Sequence, residues 1–172
     1  MKRTRKIILL SLLVSVGLAL SVIESFIPLP VAIPGARLGL SNMVTLVTLV
    51  IFGFKEALVV SILKSFVLVL VTGSISSLLY SLVGGILSCV VMFISYRFFS
   101  NIFSLIGVSI LGATAHNFGQ VTVAVLIMSN VRIYSYLPIL ELMGLFTGYF
   151  VGLSSIYISK ALEKVLKYNM QI

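Results

Sequence analysis

Four ionisable side chains stand inside otherwise apolar stretches of this chain: Glu24, Lys64, His116 and Glu141. A charge facing lipid at mid-bilayer costs about 2.5–3.5 kcal/mol on insertion scales, so each of the four must face protein or water. Two kinds of chemistry suit them. Lys64 opposite Glu24 or Glu141 would form a structural salt bridge across a helix bundle. Alternatively, the same charges would surround an anionic or zwitterionic ligand, with Lys64 or Arg37 holding its carboxylate or phosphate. Glu24 and Glu141 are each placed one or two turns from the outer end of an apolar run, and Lys64 near the middle of one.

The densest polar motif is Gly112-Ala113-Thr114-Ala115-His116-Asn117-Phe118-Gly119-Gln120. Gly112, His116 and Gln120 recur every four residues and share one helix face, which Asn117 and Thr122 broaden. Hydrogen bonding between helices and contact with a ligand both explain such a stripe. A single histidine without a second histidine or a cysteine nearby does not make a metal site, and no metal is expected. Cys89 is the one cysteine, so a disulfide within the chain is impossible. Gly144, Gly148 and Gly152 form a close-packing stripe, and Ser77, Ser81, Gly84, Gly85 and Ser88 a second. Ser11, Ser15 and Ala19 make a third small-residue stripe, on which a partner helix would dock or an internal neighbour would pack.

What is missing narrows the chemistry. There is no phosphate-binding loop of the Gly-x4-Gly-Lys-Ser/Thr type, so the chain does not by itself hydrolyse ATP. Aspartate is absent altogether, which removes the paired-aspartate magnesium sites used on prenyl diphosphates. No nucleophile elbow, zincin or haem signature is present either. No catalytic residue and no cofactor is expected.

The elements that must position these residues are set by composition. Of 172 residues 60% are hydrophobic and 9% charged, where a soluble domain needs about 25% charged residues. The chain uses lipid as solvent. Its formal charge of +8 sits at the ends of apolar runs, where it serves topology rather than nucleic acid. The apolar runs predict an all-α, polytopic single membrane domain of six transmembrane helices, at about 7–27, 38–52, 57–71, 78–96, 102–128 and 136–159. The first is too long for a cleaved signal peptide of ~7–15 apolar residues. Lys55 and Glu56 are expected in a tight turn, and 72–77 and 130–134 in further turns.

With the amino terminus inside, nine basic residues lie on the cytoplasmic side, Lys2, Arg3, Arg5, Lys6, Lys55, Arg97, Lys160, Lys164 and Lys167. Arg37 and Arg132 lie outside. The positive-inside rule therefore places both termini in the cytoplasm. Residues 28–42 then form an outer cap, with three of the four prolines, a Pro34-Gly35 turn and the charge of Arg37.

Pro34-Gly35-Ala36-Arg37-Leu38-Gly39-Leu40-Ser41-Asn42, together with the 112–120 motif, resembles the bacterial membrane family known as Gx transporter or heptaprenyl diphosphate synthase component I. The resemblance covers nearly the whole chain. That family is similar to the substrate-binding S components of energy-coupling factor (ECF) transporters, six-helix proteins of the bacterial cytoplasmic membrane that bind vitamins from outside. The resemblance implies a vitamin- or cofactor-like ligand held under the loop after helix 1 by the outer halves of helices 4 to 6. It also implies that Ser11, Ser15 and Ala19 dock on a membrane coupling protein driven by ATP-binding-cassette ATPases.

The candidate ligand-binding residues are Arg37, Asn42, Lys64, His116, Asn117, Gln120 and Glu141. A second function stands beside uptake: a non-catalytic membrane subunit associated with heptaprenyl diphosphate or quinone synthesis, or with a flavin- or quinone-linked redox assembly.

Overall fold

A computed structural model describes residues 3–27 and 37–168 of the chain. Its order is α1 (Arg3–Ser25), α2 (Asn42–Phe52), α3 (Phe54–Thr72), α4 (Ile75–Phe98), α5 (Leu105–Met128), a 3-10 turn (Val131–Tyr136) and α6 (Leu137–Tyr168). Among the described residues, α1, α4, α5 and the stretch Val131–Leu166 are long and apolar enough to cross a membrane. The all-α class and the membrane character are as the composition requires.

The helix ends follow local chemistry. Ser74 and Ser104 precede α4 and α5, and their hydroxyls accept the backbone N–H of Ser77 and Gly107, each satisfying a donor that the first turn leaves open. Asn130 does the same for Arg132 at the 3-10 turn. Gly53, at φ +97°, ends α2 and begins α3 in a single residue, a conformation that side chains with a Cβ rarely adopt.

Helix α2 is the bundle's axis. It touches each of the other five helices, and seven of its eleven residues are buried. Helix α1 is peripheral, packing on α2 and α3 with three buried residues in twenty-three. Helices α4, α5 and α6 pack in sequence, and the α5–α6 seam closes on the small-residue stripe. A Cβ on Gly148 would stand 2.9 Å from the Ile110 Cα, and one on Gly152 2.6 Å from the Ile106 Cα, so only glycine permits this approach.

Two apolar clusters bracket a polar layer. One joins Tyr80, Val121, Val123, Ala124, Ile133 and Leu140. The other joins Leu46, Leu49, Ala57, Cys89, Met92 and Val108. On α4 and α5 the stretches between these clusters carry Gly84, Gly85, Ser88, His116 and Gln120.

Several expected boundaries move. Residues 38–41 are not helical, because the backbone there bonds to side chains of other helices and Gly39 takes φ +84°. Lys55 and Glu56 lie within the first turn of α3, since the chain reverses at Gly53. The expected turn at 72–77 shortens to Gly73 and Ser74, and the tail beyond 159 continues as helix to Tyr168. Most of the expected outer cap, residues 28–36, falls outside the described residues.

Candidate functional site

The centre of the bundle is occupied by backbone. At 1.5 Å per residue the eleven residues of α2 span only ~16 Å, about half the thickness of a ~30 Å hydrocarbon layer. The segment from Arg37 to Ser41, non-helical and mostly buried, leads into its amino-terminal end. Irregular backbone buried in an apolar bundle is tolerated only where protein or a water-lined cavity satisfies its polar groups.

Side chains from three helices supply those partners. Gln120 of α5 clasps Arg37 at both ends: its Oε1 accepts the Arg37 N–H at 2.8 Å and its Nε2 donates to the Arg37 carbonyl at 3.2 Å. Glu24 of α1 accepts the N–H of Gly39, and that of Leu40 at 3.4 Å. Thr147 of α6 donates to the Leu38 carbonyl at 3.2 Å. The carbonyls of Gly39, Leu40 and Ser41 turn into the start of α2, accepting from Asn42, Met43 and Val44. The segment is thus held like a strand added between helices.

The charged groups gather on the same segment. The Arg37 guanidinium donates to the Ser21 carbonyl of α1 at 3.0 Å. Ser41 precedes α2 but does not cap it; its hydroxyl instead accepts from the Lys64 ammonium at 2.8 Å. Lys64 is 1% exposed, and its stem runs beneath α1, where a Cβ on Gly17 would meet its Cδ at 3.1 Å. Its electrostatic neighbours are Glu24 and Arg37. The direct Lys64 salt bridge to Glu24 or Glu141 that the sequence allowed does not form, the ammonium bonding Ser41 instead, and an ion pair joins Lys6 to Glu56.

His116 lies against this site from α5. It hydrogen-bonds Gln120 one turn on, and its ring sits where Gly84 has no side chain, since a Cβ there would be 2.8 Å from Nδ1. A Cβ on Gly39 would meet the His116 Cδ2 at 3.2 Å and the Asn42 Nδ2 at 2.9 Å. His116 and Asn42 therefore both close on Gly39.

Asn42 is the anomaly. It is 4% exposed, yet neither its Oδ1 nor its Nδ2 has a hydrogen-bond partner. The Glu24 Oε2, the Arg37 Nε, the Thr45 Oγ1 and the Ser61 Oγ are likewise buried and unpartnered. Each such group costs about 1–3 kcal/mol, so their concentration in one layer is expensive for stability alone.

Two expected site residues lie elsewhere. Asn117 faces α6, donating to the Leu140 carbonyl at 2.8 Å, and fastens the α5–α6 seam. Glu141 is half-buried against Thr114 rather than beside Lys64. Ser11 and Ser15 lie exposed along a groove between α1 and α3, and Ala19 is exposed on the same helix. No three His, Cys, Asp or Glu side chains among the described residues cluster as metal ligands would.

The match to a known family spans residues 13–158, from within α1 to within α6, and its description is heptaprenyl diphosphate synthase component I. The chain belongs to that family. No protein of curated function and no solved structure matches it. Within this member of the heptaprenyl diphosphate synthase component I family, the match covers both the buried segment and every side chain that holds it.

Sequence reasoning passed over Ser41, Ser21, Gly39 and Thr147 as site residues, and left Glu24 either as a partner for Lys64 or as one of the charges around a ligand. Gly39 offered a signal, a glycine between two leucines at a helix start.

Proposed function

We propose that this chain is a membrane-embedded solute-binding subunit, similar to an ECF S component, with six helices crossing the bacterial cytoplasmic membrane and both termini in the cytoplasm. Helix α2 starts at mid-depth, and the Arg37–Ser41 segment completes its crossing. The substrate is a small anionic solute, vitamin- or cofactor-like, that arrives from outside and displaces this segment from Glu24, Gln120 and Thr147.

One observation carries the reading: the buried Asn42 amide, with donor and acceptor both unpartnered, packed with His116 against Gly39 and next in the chain to Ser41, which holds the Lys64 ammonium. An amide so placed is a ready handle for a polar ligand. Charge supports the sign. Two cations, Arg37 and Lys64, face one carboxylate, Glu24, and an anionic ligand group balances the remaining positive charge. Arg37, Asn42, Lys64, His116 and Gln120 form the site, with Glu24 and Ser41 added to it. Energy for release comes from a membrane coupling protein and ATP-binding-cassette ATPases.

The family description favours a second reading, a membrane subunit that associates with a heptaprenyl diphosphate synthase and moves no solute. Native mass spectrometry of the tagged chain, extracted gently from its own host, separates them. The uptake reading expects ATP-binding-cassette subunits, a coupling protein and a retained small molecule. A co-purifying prenyl synthase with no bound small molecule overturns it in favour of the second.

A further inference from the structure

Away from the buried centre, α1 and α3 leave a groove of about 460 Å³ between them, lined by residues 7–18 of α1 and 59–67 of α3 and almost wholly apolar. At 1.5 Å per residue these stretches are ~17 Å and ~12 Å long. That is the depth of one leaflet, half of a ~30 Å hydrocarbon layer. Among the described residues the groove's lining ends at Leu18 on α1 and Val67 on α3.

Its other end is charged. Ile7, Leu10 and Val59 line both this groove and an adjoining recess of about 390 Å³ that carries Arg3, Lys6, Lys55 and Glu56. Lys6 is taken by Glu56, an ion pair that braces α1 against α3. The Arg3 and Lys55 side chains make no hydrogen bond among the described residues and flank that brace, with Lys55 acting on the Glu56 carboxylate through its charge. An apolar slot one leaflet deep, opening on two cations at the water boundary, is complementary to an amphiphile with a single lodged chain and an anionic head. A transmembrane partner helix would need a seam through both leaflets.

The geometry points to a binding site for an anionic phospholipid, one acyl chain lying in the α1–α3 groove past Ser11 and Ser15 and its phosphate held by Arg3 and Lys55. The site shares no residue with the Arg37–Ser41 layer, although Ser11 and Ser15 along it belong to the stripe on which the family resemblance docks a coupling protein. Lipid here completes the packing of α1, the least buried helix, and makes its attachment dependent on the charge of the leaflet at the amino-terminal side.

The full chain, reconstituted in nanodiscs of equal phosphatidylglycerol and phosphatidylethanolamine and released for native mass spectrometry, tests this. The wild type retains phosphatidylglycerol in clear excess. Arg3→Gln and Lys55→Gln each lower that retention about fivefold. Val14→Trp, which fills the groove, lowers it at least as far while the helical circular dichroism and melting temperature stay at wild-type values. Equal retention of the two lipids overturns the proposal, as does phosphatidylglycerol retention that survives Val14→Trp. Displacement of the phospholipid by stoichiometric farnesyl diphosphate reassigns the groove to an isoprenoid and overturns the phospholipid assignment. Loss of a co-purifying membrane protein on Val14→Trp, with lipid retention unchanged, assigns it to a partner helix and overturns it equally.

Discussion

Replacing Gly39 by alanine strikes the buried segment at its tightest point. Two costs add. The residue has φ +84°, where a Cβ costs ~1–2 kcal/mol of backbone strain. The new methyl would also stand 2.9 Å from the Asn42 Nδ2 and 3.2 Å from the His116 Cδ2, both fully enclosed, and overpacking of this kind costs ~1–3 kcal/mol. Gly73→Ala supplies the control. It has φ +66° and nothing within 4 Å of the added Cβ, so it carries the strain alone and shares the same gain from a stiffer unfolded chain. The difference between the two variants isolates packing and comes to ~1–3 kcal/mol. Equilibrium unfolding in mixed micelles of increasing denaturing detergent measures both against wild type. Equal destabilisation of the two, within ~0.5 kcal/mol, would show that the segment does not press on His116 and Asn42, and the buried-segment account would fail.

Other substitutions probe the rest of the layer. Gln120→Leu strands the N–H and the carbonyl of Arg37 and is expected to cost ~2–4 kcal/mol in the same unfolding assay, whereas Gln120→Glu keeps an acceptor and costs less. Gly144→Ala places a methyl 2.5 Å from the Asn117 Nδ2, breaking the bond to Leu140 and loosening the α5–α6 seam by ~1–3 kcal/mol, with no effect on ligand retention. At the aqueous end of α3, Lys6 holds the Glu56 carboxyl below the usual carboxylate range. A depressed folded-state pKa stabilises above the unfolded value of ~4.3 and loses that contribution as the pH falls through the folded one. The melting-temperature gap between wild type and Glu56→Gln should therefore be present at neutral pH and close in acid. A gap that is constant with pH contradicts the ion pair.

Much of the fold is legible in the sequence because lipid leaves few options. Long apolar runs bounded by Lys, Arg, Ser and Gly give α1, α4, α5 and α6 to within a turn or so at most ends, the carboxyl-terminal tail of α6 excepted, since lipid forces backbone to bond internally. The start of α2 was not legible for the same reason read in reverse. Leu38 and Leu40 are apolar enough to extend a span, and nothing local reveals that Gly39 and Leu40 give their N–H groups to Glu24, fifteen and sixteen positions earlier. The reversal at Gly53 was masked by Lys55 and Glu56, whose charges suggest a loop, although they lie in the first turn of a helix at the water boundary.

The site was visible as a set of residue types but not as an arrangement. Lys64, His116 and Gln120 stand out because lipid should exclude them, and all three lie in the same layer. Asn117 follows His116 directly, yet a step of one residue on a helix turns the side chain about 100°, onto the α6 face. Glu141 was placed by depth alone, which says nothing of helix rotation. Ser41 looked like an ordinary helix cap, and only the bundle brings the Lys64 ammonium to its hydroxyl.

The most direct test of the central claim is paired stability and ligand retention in Asn42→Leu. If the unpartnered amide is kept for a ligand, this variant unfolds ~1–3 kcal/mol harder than wild type, since two orphaned polar atoms disappear, and loses the small molecule that native mass spectrometry finds on the wild type. A variant that is less stable and keeps the small molecule would make Asn42 a structural residue and contradict the account.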